Sequence, residues 1–246
     1  TKRKSSNTIE LFNEKPSRDA ALFLANILDQ ANLHQDMVNI MKIVIEYDPV
    51  LNSEERNIFL VAYINIVDQR RSTIRMINEN IEHEQIRNRM DHVKKLSQYK
   101  ETIFSELEKY CLDLIDIVDT KLLPVAKDSE SRVFYIKLEA DYYSYICESK
   151  PESSIVNKCK RLYEDAYEIA KNEICPNRPV FLELILKYSV FLYEIINMKQ
   201  DAIELAQRTY NDTSTIVDDL SDDYSYSEAT MILQILHDNV SLWTKE

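Results

Sequence analysis

The sequence predicts an all-α fold, and three observations carry that prediction. Apolar residues recur three and four apart over long windows, the spacing of one helical face. There is no glycine in the 246 residues, and the 6 prolines fall at breaks between periodic segments. Glycine supplies the positive φ of tight turns, β-bulges and phosphate-cradling loops; a chain without it has no GxGxxG turn, Walker A loop or GxSxG elbow. With 45% hydrophobic residues there is ample core, for one large domain or two small ones.

Taken in order, the residues justify about nine antiparallel helices. Residues 1–15 are polar, with Lys2-Arg3-Lys4 ahead of Ser5-Ser6, and read as a flexible N-terminal arm, with a phosphorylated or localisation segment as the alternative. A helical domain is expected over 16–246. Pro16-Ser17 opens a helix through Phe23, Ile27 and Ala31. A second runs from about Gln35 to Tyr47 on Met37, Ile40, Met41, Val44 and Ile45, until Asp48-Pro49 breaks it. Asn52 caps the third, with Glu55 completing a capping box and Glu54 favouring its positive end; it runs to about Glu84. A long helix is expected from Arg89 to Ala126 on the stripe Leu96, Tyr99, Ile103, Leu107, Tyr110, Leu114 and Ile117. Pro124, Pro151, Pro176 and Pro179 then divide helices near 129–149, 153–174, 179–197, 200–219 and 224–243. Short connections make neighbours antiparallel, and no 34-residue repeat marks a tetratricopeptide array.

The formal charge of −12 opposes a nucleic-acid or anionic-membrane binder, either of which would forfeit counterion or surface-charge energy. Cys111, Cys147, Cys159 and Cys175 are far apart with no CxxC pair, the pattern of reduced core thiols in an intracellular protein. His34, His83, His92 and His237 are scattered, and His83-Glu84 lacks a second His at the zincin spacing. No run approaches the roughly 20 apolar residues of a membrane span, and no Ser or Cys has a recognisable base. No enzyme, cofactor or metal is expected, and the expected location is cytoplasmic.

The stretch from Val133 to Tyr145 carries the most chemistry. Phe134, Leu138, Tyr142 and Tyr145 form an inward stripe, while Lys137, Asp141 and Tyr145 stack an ammonium, a carboxylate and a phenol four residues apart. From spacing alone this is either a buried tyrosine-rich helix with a surface ion pair, or an anion site of Lys137 and Tyr145 with Asp141 orienting a cation from another helix. A second mixed face, Val61, Ile64, Asp68, Arg71 and Arg75, lies on the helix that starts at Asn52. Alone, such a face is usually solvated.

Lys137-x-x-x-Asp141-Tyr142-Tyr143-x-Tyr145 resembles the central helix of the 14-3-3 family. So do Glu54-Glu55-Arg56-Asn57 through Val61-Ala62-Tyr63 to Arg70-Arg71-Ser72. Tyr188-Ser189-Val190-Phe191, Tyr193-Glu194-Ile195 and Asp238-Asn239-Val240-Ser241-Leu242-Trp243 agree as well, in the family's order and approximate separations. The resemblance runs from about Ile27 to Trp243. It implies a single domain whose helices form an amphipathic groove, and a non-enzymatic adaptor that holds phosphoserine or phosphothreonine segments of client proteins extended there. It also implies that Arg71, Tyr145 and Lys137 meet the phosphate, Arg as a planar fork and Tyr as a short donor. Asn239 and Glu194 would hold the peptide backbone, with Leu186, Lys187, Val190, Ile235, Leu242 and Trp243 completing the groove.

Four positions depart from the family pattern. Ser144 stands for an Arg beside Tyr145, Ile64 for a Lys two turns before Arg71, Lys187 for an Asn and Asp68 for a Gly. Two pocket cations are thereby lost, at roughly 1.5–3 kcal/mol per charge-assisted hydrogen bond, and Lys187 is expected to compensate. The family dimerises through its first helices against the third and fourth. The matching positions Ile27, Ala31, Ile77, Ile81 and Tyr99 imply the apolar seam of a homodimer, or of a heterodimer with a paralogue. Leu33 and Thr102 replace the salt-bridge partners of Glu106 and Asp36. The departures keep a second reading open, a helical scaffold or dimerisation partner whose groove takes acidic or unphosphorylated peptides. On either reading the partners are proteins, with no nucleic acid and no membrane.

Overall fold

In the computed structural model, which describes residues 15–245, all regular structure among the described residues is helical. The helices are α1 (Arg18–Gln30), α2 (His34–Tyr47), α3 (Ser53–Ile86), α4 (Met90–Ile117), α5 (Ser129–Ser149), α6 (Ser153–Glu173), α7 (Pro179–Val190), α8 (Lys199–Thr213) and α9 (Asp223–Trp243). The arm expected over 1–15 lies outside the described residues except for Lys15, whose Nζ meets Glu46 Oε2 at 2.8 Å.

Helix starts follow the local chemistry. The Asn52 side chain accepts from the Glu55 N–H at 2.9 Å and the Glu55 carboxylate accepts from the Asn52 N–H at 3.0 Å, so the expected capping box is formed. Ser17, Asp128 and Asp222 cap α1, α5 and α9, each side chain accepting from the backbone N–H three residues on. Helix ends have to manage without glycine. Asn32, Asn88 and Asn197 take left-handed φ values of 54°, 56° and 56°, a region that asparagine tolerates better than most residues. After α1 and α3 they close a double turn, with Leu33 N–H on the Leu28 carbonyl at 2.8 Å and Arg89 N–H on the Glu84 carbonyl at 2.9 Å.

Three expected helices end earlier than periodicity suggests. The one expected to reach Ala126 leaves α geometry after Ile117 through a π-helical turn (Val118–Leu122) and a 3₁₀ turn (Leu123–Val125), because Pro124 has no N–H for the carbonyl a turn back. The one expected over 179–197 becomes a π-helical turn at Phe191–Ile195. The one expected over 200–219 stops at Thr213, where Ser214 and Thr215 hydroxyls bond the Asn211 and Asp212 carbonyls and compete with the helical ladder.

The chain forms two compact units, one ending at Val125 and the other starting at Ala126. In the first, α1 packs on α2 and α3, α2 on α3, and α3 on α4, around Ile40, Met41, Phe59, Tyr63 and Leu107. Arg18 forks onto Glu55 at 2.7 and 3.0 Å, and Asp113 of α4 takes Lys42 Nζ and the Tyr63 hydroxyl at 2.6 Å each. In the second unit α5 packs on α6 and α7, α7 on α8 and α9, and α8 on α9. Helix α5 is buried along most of its length, and Lys137, Glu139 and Asp141 go inside with it. Buried charges need partners there.

Candidate functional site

In the first unit, α3 carries the mixed face that the sequence marks. Val61 and Ile64 are half-buried, while Asp68 and Arg75 are exposed. Arg71 Nη1 donates to Asp68 Oδ1 at 2.6 Å; the Arg71 side chain is 17% exposed and that of Asp68 52%. The residue that replaces the family's glycine is therefore a direct partner of the expected phosphate arginine. Beside it, Arg70 pairs with Glu106 at 3.3 Å and lies 5.6 Å from the centroid of the Tyr110 ring. Glu106, expected to lack its partner from a second copy, has one within its own chain. A cavity of about 240 Å³ is lined by Gln69, Arg70, Thr73, Tyr99, Ile103 and Glu106. Of the expected dimer positions, Ile27, Ala31 and Tyr99 are exposed, Ile81 is half-buried and Ile77 is buried.

In the second unit, the line of residues on α5 becomes a network. Lys137 Nζ lies 3.3 Å from Asp141 Oδ2 on the same helix and 3.1 Å from Glu183 Oε2 on α7. The Tyr163 hydroxyl on α6 donates to Asp141 Oδ1 at 2.7 Å. Exposure is 7% for the Lys137 side chain, 5% for Asp141 and 38% for Glu183. The surface ion pair expected from spacing is thus an interior one, because α6 and α7 cover α5. Asp141 orients a tyrosine hydroxyl from another helix, where a cation was expected. Tyr145 is buried, with its ring 5.3 Å from that of Tyr142. Ser144 donates its hydroxyl to the Asp141 carbonyl at 2.7 Å.

The electrostatics follow from this packing. Burial alone would lower the Lys137 pKa, but Asp141 and Glu183 outweigh it and hold the ammonium above its ordinary value. Lys137 holds the Glu183 carboxyl below the usual range against the opposing effect of burial, and Lys187 one turn on adds to this. Burial, and then the charge of Glu183, raises Glu228 on α9. Burial and the Asp141 charge keep Tyr163 a neutral donor. Burial also pushes the Cys147 thiol up to about 11 and raises Cys159, leaving both inert.

The remaining expected groove residues lie on α7, the π-helical turn after it, and α9. Leu186 and Val190 are half-buried, and Lys187 and Glu194 are exposed, Glu194 within that π-helical turn. Ile235 and Leu242 are exposed and Asn239 is half-buried. Trp243 is packed inside, its ring stacked on Tyr193 at 4.5 Å. Glu183, Tyr163 and Glu228 were missed by sequence reasoning. Only Glu183 left a signal, as a lone acid in the apolar run from Pro179 to Leu186. Among the described residues no cluster of His, Cys, Asp or Glu is set to hold a metal ion, and no helix is long and apolar enough to cross a membrane.

A family model for 14-3-3 proteins matches residues 24–244. The chain is similar to 14-3-3 protein 3 of Entamoeba histolytica, 36% identical over 233 residues that cover 94% of this chain and 97% of that one. It is 37% identical over 225 residues to 14-3-3-like protein 2 of Caenorhabditis elegans, covering 90% of each. To the checkpoint signal transducer rad24 of Schizosaccharomyces pombe it is 35% identical over 233 residues, covering 94% of this chain and 86% of that one.

Proposed function

The chain belongs to the 14-3-3 family, and from that premise we propose that it binds phosphoserine and phosphothreonine segments of client proteins through Arg71 on α3 and Lys137 and Tyr145 on α5. Family membership makes it a non-enzymatic adaptor that binds clients and dimerises. The observation that carries the phosphate reading is Arg71. Its guanidinium is presented from a long helix, and its Asp68 partner is half in solvent, so a phosphate dianion can take over the fork. Asn239 and Glu194 hold the peptide backbone. Leu186, Val190, Ile235 and Leu242, apolar yet not buried, take the flanking side chains, with Lys187 and Trp243 beside them. The protein works in the cytoplasm as a homodimer, or as a heterodimer with a paralogue, through Ile27, Ala31, Ile77, Ile81 and Tyr99. Two tethered sites then add avidity.

One observation favours a second reading. Lys137 already faces two carboxylates, which suits a scaffold that takes unphosphorylated peptides. Fluorescence anisotropy separates the two, with an Arg-Ser-x-pSer-x-Pro peptide and its unphosphorylated twin titrated against wild type and Arg71→Ala. Micromolar binding that needs both the phosphate and Arg71 is the expected result. Equal binding of the two peptides, or none up to about millimolar, which is only about 4 kcal/mol, would select the scaffold.

A further inference from the structure

The charge of Lys137 is answered on two sides. Asp141 holds it from its own helix and Glu183 from α7, at 3.3 and 3.1 Å. The two acids are not equivalent. Asp141 is 5% exposed and is fixed a second time by the Tyr163 hydroxyl, whereas Glu183 is 38% exposed. Of the two acids, Glu183 is the one that solvent reaches. Lys187 lies four residues beyond Glu183 on α7, and its charge already acts on that carboxylate. Acid before base at this spacing is the favourable order on a helix, so the carboxylate has a second cation to turn to without leaving its own helix.

We propose that Glu183 is the resident anion of the Lys137 site: its carboxylate occupies the place a ligand phosphate takes, a phosphopeptide binds there by displacing it toward Lys187, and Glu183 thereby sets the chain's affinity for phosphate. The proposal rests on the phosphopeptide reading above and adds an internal competitor to it. Lys187 then contributes as the receiver of the displaced carboxylate, an indirect form of the compensation expected from the sequence. The groups around Glu183 are Lys137 and Asp141 on α5, Lys187 on its own helix and Glu228 on α9. The two lysines keep Glu183 ionised at neutral pH, so the ligand is what displaces it.

The test titrates the same phosphopeptide and its unphosphorylated twin against wild type, Glu183→Gln and Glu183→Ala, with thermal melts to verify that both variants fold. Removing the competitor should tighten phosphopeptide binding about tenfold, near one charge-assisted hydrogen bond, and leave the twin unchanged. Wild type that binds the phosphopeptide through Arg71 while both variants bind it equally or more weakly would overturn the competition and leave the phosphopeptide reading intact. Binding that appears only in the variants would establish the competition and show that wild type is shut off. No phosphate-dependent binding by any of the three would overturn both.

Discussion

Arg71 and Lys137 are each a cation with an acid one helical turn away, at i−3 in one case and i+4 in the other, and they end as different objects. The Arg71–Asp68 pair sits on a face of α3 with its acid 52% exposed; Lys137–Asp141 sits where α6 and α7 cover α5, with both side chains under a tenth exposed. Water competes for the first pair and makes it weak and replaceable. The second is dry, so each partner is held by the cost of leaving the other alone. An acid and a base a turn apart therefore say little about role until it is known what covers the helix.

The difference between a dry and a wetted pair shows most strongly at Lys137. Lys137→Met leaves the buried Asp141 carboxylate without its cation, and should cost about 3–5 kcal/mol in urea denaturation. A loss below about 1 kcal/mol would put the pair energetically at the surface. An intermediate case sharpens the contrast: in the Arg18–Glu55 fork the acid side chain is 8% exposed and the arginine 27%. Glu55→Gln should cost about 1.5–3 kcal/mol near neutral pH, the range of a hydrogen bond to a charged group. The sign with pH follows from Glu55 itself, which its hydrogen bonds to Arg18 hold below the usual carboxylate range. A depressed acid contributes stability that is present above its unfolded value of about 4.3 and is lost as pH falls through the folded one. Wild type should therefore lose its advantage over Glu55→Gln below about pH 4, followed by melting temperature against pH. Asp68→Ala should change stability by no more than about 1 kcal/mol, yet tighten phosphopeptide binding by releasing Arg71 from its nearest acid. Unchanged or weaker binding would mean that Asp68 orients the fork instead of competing for it.

Much of the fold was legible in the sequence because it is written in local terms. The 3.6-residue spacing placed the helices, and Asn52 and Glu55 announced a capping box that the structure contains. Helix ends were less legible. The π-helical turn at Phe191–Ile195 interrupts a sequence that keeps its apolar period, so periodicity gave no sign of it. At the candidate site, the chemistry-bearing residues could be named but their partners could not. Asp68 is three residues from Arg71 and was recognised as a neighbour. Glu183 is 46 residues from Lys137, and Tyr163 is 22 from Asp141. No periodicity on α5 reports which side chains α6 and α7 bring to it, nor that covering the helix turns a surface pair into an interior one.

The asparagines at the left-handed turns have a consequence for the chain when it is not folded. Glycine is the residue with the most backbone freedom to lose, and replacing one by alanine where the geometry allows stabilises a protein by about 0.4–1 kcal/mol through the denatured state. Without a single glycine, this chain explores a narrower denatured ensemble, and ordering each residue costs it correspondingly less entropy. Asn32, Asn88 and Asn197 are where that economy meets resistance, since left-handed backbone is strained for any residue with a Cβ. The two effects oppose each other at one position, so Asn32→Gly should be close to neutral in denaturant melts, within about 0.5 kcal/mol. The absence of glycine is thus as much a property of the disordered chain as of the helices it folds into.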